Sequence, residues 1–500
     1  MNFIINYNFS YLLNISAFLA LFIGALLGMV IGALPGLGAT IGCALLIPLT
    51  FRMDPKVAIL ALCSMYMSSC YGGSISSVLL GIPGTSGAVA TVIDGFPMAK
   101  RGFPGKALGY SLYASTVGGL VGWLFLAFLT VPLSKIALNL ADPELFVIGL
   151  IGLVSVSALG AVDPWKCVIS LLLGLIVGVI GVDFYTGATR FTFNNISLGD
   201  GVSLVALFTG FYALSDMLDL CMGDLGAHSI TDTKRLKCEI SWAEFKNVFP
   251  VILKSGIIGT IFGIVPGLGG GPASFYSYSE AKRKDKEPET FGHGNPRGLS
   301  ACESSNNAVV SGGMITLLTL GIPGTSTVAI ISGALMMHGI TPGPELMNSD
   351  SALVYTIFWG ILLSIGVMFL LGKYTTSFCA RILVYPNYVL IPIISILIVV
   401  GSYVGRFFMI DMWTAAIAGI FGFIMEKLNF SRNAFALSFV LAQLIEFRFR
   451  RSLMISRGDF LIFFNRPLCL ILWVVFAYMI FYSIKAAKKK RADRREVAAL

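Results

Sequence analysis

Charged side chains are scarce in this sequence. Only 12% of its 500 residues are Asp, Glu, Lys or Arg, whereas 56% are hydrophobic; a soluble protein carries roughly 25% charged residues. A larger core does not explain the deficit, because soluble chains of this length divide into domains that each need a polar surface. The scarcity of charge excludes an ordinary soluble protein and predicts an all-α polytopic membrane protein.

The sequence also lacks the side-chain clusters that enzymes and metal sites need. Its three histidines lie far apart, and its nine cysteines include no Cys-x-x-Cys pair, so we expect no cofactor and no structural metal. No HExxH, GxSxG or complete phosphate-binding loop occurs. We therefore predict that the chain is not an enzyme, and primary pumping would need a separate ATPase.

Long apolar runs recur along the chain and indicate about 11 to 14 transmembrane segments. Several of them, such as 11–34 and 107–133, reach the roughly 20 residues that cross a lipid bilayer. Lys and Arg collect in short loops and in the tail 486–495, which predicts a cytoplasmic tail. The net charge of +9 is explained by this distribution, and no nucleic-acid partner is expected.

Two glycine- and proline-rich motifs each occur twice, in the same order. GMVIGALPGLG begins at Gly28 and GTIFGIVPGLG at Gly259, an offset of 231 residues. The hexapeptide Gly-Ile-Pro-Gly-Thr-Ser begins at Gly81 and again at Gly321, an offset of 240 residues. Two ordered motifs at nearly equal offsets predict two internal repeats, an organisation typical of secondary transporters. Inverted repeats are favoured, because inversion lets one fold open to either side of the membrane.

The predicted domain organisation follows from these repeats. A first transmembrane repeat spans 1–222, a polar connecting loop spans 223–247, and a second transmembrane repeat spans 248–450. Residues 451–500 form a final transmembrane helix and the basic tail.

Both motifs are expected to break the helices that contain them and to form paired broken-helix or re-entrant hairpins. Proline removes a helical hydrogen bond, and glycine tolerates backbone angles that reverse the chain. A helix that restarts after such a break presents free N–H groups and a positive dipole end, which suit an anion. The predicted substrate-binding residues are Pro35, Gly36, Gly38, Thr40, Gly84, Thr85, Ser86, Gly267, Gly269, Ser274, Gly324, Thr325 and Ser326.

Two of these features also have a simpler structural explanation. Thr and Ser cap helix N-termini, so the hydroxyls of Thr85 and Thr325 would be explained by capping alone. The Gly28–Gly32 and Gly259–Gly263 spacings are typical of closely packed membrane helices, and we favour packing over ligand contact there.

Polar residues within an otherwise apolar helix mark a candidate coupling site. Glu303, Asn306 and Asn307 lie in the segment CESSNNAVVSGG, and intramembrane polar groups are costly and commonly functional. Amide and carbonyl oxygens suit a hard cation such as Na⁺, although hydrogen bonds between helices would also account for these residues. The predicted coupling-ion residues are Asn306, Asn307, Gly72, Gly73, Gly312 and Gly313.

In combination, the motifs resemble the large permease subunit of tripartite tricarboxylate transporters, the TctA family. The resemblance rests on ALPGLGATIGCALLIPLTFRMDP, YGGSISSVLLGIPGTSGAVATVIDGFPMAKRG, PGLGGGPASFYSY, ESSNNAVVSGG and LTLGIPGTSTVAIISGALMMHGITPGPEL. It implies a bacterial inner-membrane symporter that imports a citrate-like tricarboxylate or related organic acid with Na⁺ or protons. It also implies two partners, a small four-helix membrane subunit and a periplasmic substrate-binding protein. The chain departs from the family pattern at Gly81 and Ala301–Ser305, which bears on the substrate.

Two other functions stay open on the residues alone. A passive channel built from the same hairpins would show continuous currents without saturable uptake. A membrane-embedded enzyme or assembly scaffold is the third hypothesis, and the missing catalytic constellation argues against the enzyme.

Overall fold

The computed structural model describes residues 11–12, 14–34, 37–160, 164–183, 185–222, 237–382, 387–404 and 406–481. Pro35 and Gly36, the connecting loop over 223–236 and the tail beyond 481 lie outside this part of the chain. The described residues are mostly α-helical, which confirms the predicted all-α class.

The first half of the chain is a series of helices interrupted by the two motifs. Its helices are α1 (Ile15–Ala33), α2 (Gly38–Thr50), α3 (Pro55–Leu80), α4 (Thr91–Lys100), α5 (Pro104–Ala137), α6 (Asp142–Gly160), α7 (Pro164–Gly178), α8 (Leu204–Phe208) and α9 (Ser215–Met222). A short antiparallel hairpin, β1 (Gly181–Val182) with β2 (Thr189–Arg190), follows α7. A π-helical segment, Thr209–Leu214, joins α8 to α9.

The second half contains its own copies of the two motifs. Its helices are α10 (Trp242–Ile264), α11 (Gly270–Lys284), α12 (Pro296–Leu320), α13 (Ser326–Met337), α14 (Leu346–Ser349), α15 (Ser351–Ile382), α16 (Asn387–Val404), α17 (Met409–Lys427), α18 (Arg432–Ile455) and α19 (Pro467–Phe481). Helix α10 begins before the predicted boundary at 248, and α18 continues past the one at 450.

Six helices in the described part of the chain are long and apolar enough to cross a membrane, namely α1, α3, α5, α10, α15 and α17. Shorter apolar helices include α2, α7, α13 and α19. The chain is therefore a multi-pass membrane protein. Helices α2 and α13 are short because each restarts after one of the breaks, which is also why hydropathy counts such segments poorly.

The centre of the fold is formed by α3 and α12, whose ends are built alike. Asp54 and Asn295 cap the two N-termini by accepting backbone N–H bonds at 2.9 and 2.7 Å, and proline follows in the first helical position. Each helix ends at a left-handed glycine, Gly81 with φ 72° and Gly321 with φ 73°. Each hexapeptide therefore begins with the residue that ends a central helix.

The contacts of the central helices fix their directions. They are Gly24–Ala61 and Gly32–Ser69 for α1 with α3, Gly259–Ser305 and Gly263–Val309 for α10 with α12, and Ser74–Glu303 and Met67–Asn307 for α3 with α12. Residue numbers rise together in the first two pairs of helices, so those helices are parallel. They change in opposite senses in the third, so α3 and α12 are antiparallel. The units α1–α3 and α10–α12 therefore run in opposite directions.

Glycines allow these helices to approach each other closely. A Cβ atom on Gly28 or Gly32 would lie 2.3 Å from a carbonyl oxygen of α3. On Gly259 or Gly263 it would lie 2.2 or 2.5 Å from a carbonyl oxygen of α12. No larger side chain fits at these distances, so the prediction that both spacings serve helix packing is confirmed.

Candidate functional site

A cavity of about 650 Å³ lies where the broken segments of the two halves meet. Its volume is typical of a site for a small organic molecule. The side chains with N or O atoms in its wall belong to Thr40, Tyr66, Thr85, Ser86, Tyr212, Asp216, Asp219, Asn306, Thr325, Ser326, Thr327, Glu426, Asn429, Ser431, Arg432 and Asn433. No group of three or more His, Cys, Asp and Glu among the described residues is arranged to hold a metal ion.

Most of the predicted substrate-binding residues line this cavity. From both halves these are Gly38, Thr40, Gly84, Thr85, Ser86, Gly267, Gly269, Thr325 and Ser326. Two others lie elsewhere: the Ser274 hydroxyl donates to the carbonyl of Cys302 at 3.2 Å, and Gly324 packs against the carbonyl of Gly263. The fold thus brings together motif residues that are more than two hundred positions apart in the sequence.

Backbone hydrogen bonds hold the breaks in place. In the first half the Gly84 N–H donates to the carbonyl of Gly73 at 3.3 Å, so the hexapeptide folds back along α3. In the second half the Gly267 N–H donates to the carbonyl of Gly324 at 2.9 Å, which joins the two motifs of that half directly. Backbone groups freed from the helices are thereby partly satisfied within the protein, as membrane depth requires.

Four helices begin at the cavity wall. Thr325 and Ser431 cap α13 and α18 with their hydroxyls. Helices α2 and α11 begin after Leu37 and Gly269, and neither residue caps its helix with a side chain. The first N–H groups of a helix have no partner within it and carry partial positive charge. The starts of α2 and α11 are therefore the part of the wall best suited to an anion.

The equivalent threonines of the two hexapeptides have different surroundings. The Thr325 hydroxyl accepts the N–H of Val328 at 3.2 Å, so capping does account for this copy. Thr85 caps nothing; its buried hydroxyl lies against Gly73 and finds no hydrogen-bond partner among the described residues. The capping explanation therefore applies to one copy and not to the other.

Hydroxyl contacts connect the two halves across the cavity. The hydroxyls of Thr40 and Thr327 lie 2.9 Å apart. The Tyr66 hydroxyl lies 3.2 Å from that of Thr325. Helices α2 and α3 of the first half are thus tied to the start of α13 in the second.

Asn306 and Asn307 both join α12 to α3, but only Asn306 reaches the cavity. Its Nδ2 donates to the carbonyl of Cys70 at 3.3 Å, and its Oδ1 occupies the space beside Gly87. The Nδ2 of Asn307 donates to the carbonyl of Met67 at 3.1 Å and faces two methionine sulfurs at 3.3 Å. These Nδ2 contacts hold α12 against α3, whereas the buried Oδ1, the atom that a cation would bind, has no hydrogen-bond partner among the described residues.

The four glycines predicted beside the coupling ion lie at helix contacts outside the cavity wall. A Cβ atom on Gly72 would lie 2.5 Å from a carbonyl oxygen of α1, and one on Gly312 would lie 2.4 Å from a carbonyl oxygen of α10. Gly73 lies against Thr85, and Gly313 lies against side chains at the start of α13. Their structural role here is close packing.

Sequence analysis missed the wall formed by α9, α17 and α18. Arg432 Nη1 donates to Asp216 Oδ1 at 2.5 Å and lies 3.1 Å from Glu426 Oε2. The Ser326 hydroxyl donates to Asn433 Oδ1 at 3.1 Å. Charged residues beside long apolar runs were the available signal, and the π-helical segment before α9 is a second feature that often marks functional sites.

Comparison with known proteins gives concordant matches. The model of the tripartite tricarboxylate transporter TctA family matches residues 18–437. The chain is 34% identical over 464 residues to an uncharacterized 52.8 kDa protein in the TAR-I ttuC' 3'region of Agrobacterium vitis, covering 92% of this chain and 91% of that protein. It is 36% identical over 214 residues to an uncharacterized protein in the TAR-II ttuC' 3'region of the same organism, covering 42% of this chain and 87% of that protein. No solved structure matches.

Proposed function

The chain belongs to the tripartite tricarboxylate transporter TctA family, and from that premise we propose that it imports a carboxylate by cation symport, driven by Na⁺ or protons. Family membership makes it a large membrane subunit of a transporter rather than an enzyme. In our proposal it works with a small four-helix membrane subunit and with a periplasmic binding protein that delivers a citrate-like tricarboxylate or a related organic acid. The membrane is the bacterial inner membrane, and the basic tail is cytoplasmic.

The observation that carries the proposal is the pair of helix starts without side-chain caps in one cavity. Helices α2 and α11 follow equivalent Pro-Gly-Leu-Gly motifs in the two halves, and Gly38 and Gly270 at their starts both line the cavity. Free N–H groups and dipole ends from two directions would hold a carboxylate without a buried cation beside it. The hydroxyls of Thr40, Ser86 and Ser326 line the same space, and that of Ser86 adds a hydrogen-bond donor.

The wall formed by α9, α17 and α18 limits where an anion would lie. Asp216, Asp219 and Glu426 line it, and Arg432 is the one cationic side chain among the described lining residues. That guanidinium is already paired with Asp216 and Glu426, so this wall repels an anion more than it attracts one. We therefore place the substrate carboxylates at the starts of α2 and α11 and not beside Asp216, Asp219 and Glu426.

The opposite directions of the two halves support alternating access. The helices α1–α3 and α10–α12 run in opposite directions. A movement of one half that opens the cavity to one side of the membrane therefore has an equivalent movement of the other half that opens it to the other side. We propose that the motifs belong to inverted repeats that exchange these two states. The predicted cation site at Asn306 and Asn307 stays a prediction.

Uptake by the reconstituted complex tests this function. The full chain, with its cognate small subunit and binding protein, is placed in proteoliposomes and given a panel of labelled carboxylates: citrate, succinate, malate and lactate. We expect saturable accumulation of at least one of them, driven by an inward Na⁺ or proton gradient. Uptake that ignores both gradients would refute symport, and continuous single-channel currents would favour the passive channel.

A paired variant locates the site within that assay. Gly270→Ala would place a Cβ 2.6 Å from Asn306 Oδ1 at the start of α11, whereas Gly366→Ala in α15 meets no atom within 4 Å. We expect the first to raise the half-saturating carboxylate concentration by about tenfold, because the new methyl group displaces Asn306 and narrows the space at the start of α11. The second serves as the matched control and should leave uptake unchanged. Equal behaviour of the two variants would contradict the placement of the anion at α11.

A further inference from the structure

Glu303 is a fully buried carboxylate in the middle of α12 that the cavity does not include. Three hydroxyls surround it. Ser74 donates to its Oε2 at 2.6 Å, Ser115 donates to the same oxygen at 3.1 Å, and Thr91 donates to Oε1. An isolated buried carboxylate is among the costliest groups that a protein can hold, so its position needs a reason.

The surroundings of Glu303 contain no cation in the described structure. The titratable groups buried on the elements packed around it include Cys70 of α3, Asp94 of α4, Tyr110 of α5, Tyr278 of α11 and Cys302 of α12 itself. The cationic side chains of α3, α4, α5 and α11 lie at the helix ends, namely Lys56, Lys100, Lys106, Lys135, Lys282, Arg283 and Lys284. The buried faces of α10 and α13 carry none. Arg297, at the start of α12, is paired with Asp285 at 3.1 Å. Glu303 is therefore not half of a buried ion pair.

A shell of hydroxyls suits both protonation states of a carboxyl group. Each hydroxyl is a donor and an acceptor, and its hydrogen rotates to suit the partner. Toward an ionised Glu303 all three hydroxyls donate; toward a protonated one, a hydroxyl accepts the carboxyl hydrogen. Asp94 offers a contrast, because its Oδ1 accepts backbone N–H groups of Gly292, Gly294 and Asn295 at 2.8–2.9 Å. A backbone N–H can only donate, so the direction of these hydrogen bonds is fixed.

Glu303 also connects the two halves of the molecule at a point that must move. Its three hydroxyl partners belong to α3, α4 and α5 of the first half, whereas Glu303 belongs to the second. Thr91 begins α4 after the short 3₁₀ turn Ser86–Ala88 that follows the first hexapeptide. Asn306, one turn along α12, lies against Gly87 in that turn. A change of charge at Glu303 therefore acts on the contact between α12 and the hexapeptide that lines the cavity.

We propose that Glu303 carries the proton that couples carboxylate import to the proton gradient, an inference that rests on the symport function proposed above. On the side of higher proton concentration the ionised carboxyl binds one proton at an Oε atom and becomes neutral. The protein, with carboxylate and proton bound, then changes from the state open to one side of the membrane to the state open to the other. Because Glu303 is neutral during this change, it costs less free energy than moving a buried charge. On the other side the carboxyl releases the same proton to water, and the hydroxyls turn back to donate to the ion.

Replacing Glu303 by Gln separates coupling from binding. Glu303→Gln keeps the size and imitates the protonated state, and the full complex is assayed with labelled citrate, or with the member of the panel that it transports. We expect net uptake driven by a proton gradient, in Na⁺-free buffer, to fall by at least about tenfold. Citrate exchange between loaded vesicles and medium should persist, because exchange needs no release of the proton. Glu345→Gln, at an exposed glutamate, is the control and should change neither.

A second variant keeps the proposal testable if Glu303→Gln does not fold. Ser115→Ala removes one donor to the ionised carboxyl, so proton binding becomes easier. The midpoint of the uptake–pH profile should move upward by about one pH unit. An unchanged midpoint, or full proton-driven uptake by Glu303→Gln, would overturn the proposal. So would uptake by the unaltered complex that depends on Na⁺ alone and moves no protons, a result that leaves symport itself intact. If no carboxylate is transported at all, the function fails and this proposal fails with it.

Discussion

The two copies of Gly-Ile-Pro-Gly-Thr-Ser have one sequence and two local structures. After Ser326 the chain enters the regular helix α13, whereas after Thr85 it forms only a short 3₁₀ turn, Ser86–Ala88. The next residue along accounts for part of this difference: it is Thr327 in one copy and Gly87 in the other. A duplicated motif thus reproduces the chain break, while its neighbours decide what the broken segment contacts.

The partners on the central helices differ in the same way. At the offset of 240 residues, Asn306 on α12 corresponds to Tyr66 on α3. Tyr66 reaches the hydroxyl of Thr325 in the second hexapeptide, and Asn306 lies beside Gly87 after the first. The long side chain of Tyr66 therefore faces the second hexapeptide, in which Thr325 caps a helix. The shorter amide of Asn306 faces the residue after the first hexapeptide, in which Thr85 caps nothing. The comparison teaches that the two chain breaks are alike at Gly84 and Gly324, whereas the segments that follow them and the side chains that meet them differ.

The largest effect is expected where the halves are equivalent. A Cβ atom on Gly84 would lie 2.0 Å from the carbonyl oxygen of Gly32, and one on Gly324 would lie 2.2 Å from that of Gly263. Because backbone atoms cannot move aside easily, Gly84→Ala and Gly324→Ala should each cost about 1–3 kcal/mol or more. Both should lower the yield of folded, monodisperse protein in size-exclusion chromatography, with Gly366→Ala as the unaffected control. A normal yield of folded protein for either variant would show that Gly84 and Gly324 do not play the same packing role.

A smaller effect is expected where the halves differ. A Cβ atom on Gly87 would lie 1.8 Å from Asn306 Oδ1, the end of a side chain that can turn away. Gly87→Ala should therefore displace Asn306, with folded yield preserved and carboxylate uptake lowered by about tenfold. If the effect acts through Asn306, the double variant Gly87→Ala with Asn306→Ala will be no worse than Asn306→Ala alone. Additive losses in uptake would show that the contact is incidental.

The smallest effect concerns the two threonines. Thr325→Val removes the cap of α13 and should lower the free energy of unfolding by about 1 kcal/mol. Thr85→Val removes a buried hydroxyl that has no partner in the described structure, so it should be neutral or slightly stabilising. Thermal-shift measurements on the purified variants compare the two directly. If Thr85→Val lowered the stability as much as Thr325→Val does, the two threonine hydroxyls would have the same stabilising role in their hexapeptides.

Sequence patterns were sufficient for the class of fold and for the motif residues in the cavity wall. Composition predicted the membrane helices, and proline with glycine at Gly84 and Gly267 predicted the breaks, because both depend on local properties of the backbone. The meeting of the two pairs of breaks in one cavity was predicted from their duplication. The helix directions, in contrast, needed the contacts between α3 and α12.

Other parts of the site depend on packing that no local pattern encodes. Arg432 and Asp216 are far apart in the sequence and meet only because the fold brings the first residue of α18 to α9. Gly72 and Gly312, predicted beside an ion, contact neighbouring helices. The sequence alone does not distinguish a glycine that allows close helix packing from one that contacts a ligand. The hydroxyl shell of Glu303 draws on three separate helices, so only the folded chain shows it.

The central claim is that both hexapeptides line one carboxylate site. Thiol labelling tests it most directly, with Ser86→Cys and Ser326→Cys made singly in a background in which Cys70, at the cavity wall, and the exposed Cys221 are replaced by Ser. The transported member of the carboxylate panel is titrated against the labelling rate in the reconstituted complex. Our account predicts that both cysteines are protected, with the same half-protecting concentration. Protection of one cysteine only, or of the two at clearly different concentrations, would contradict a shared site.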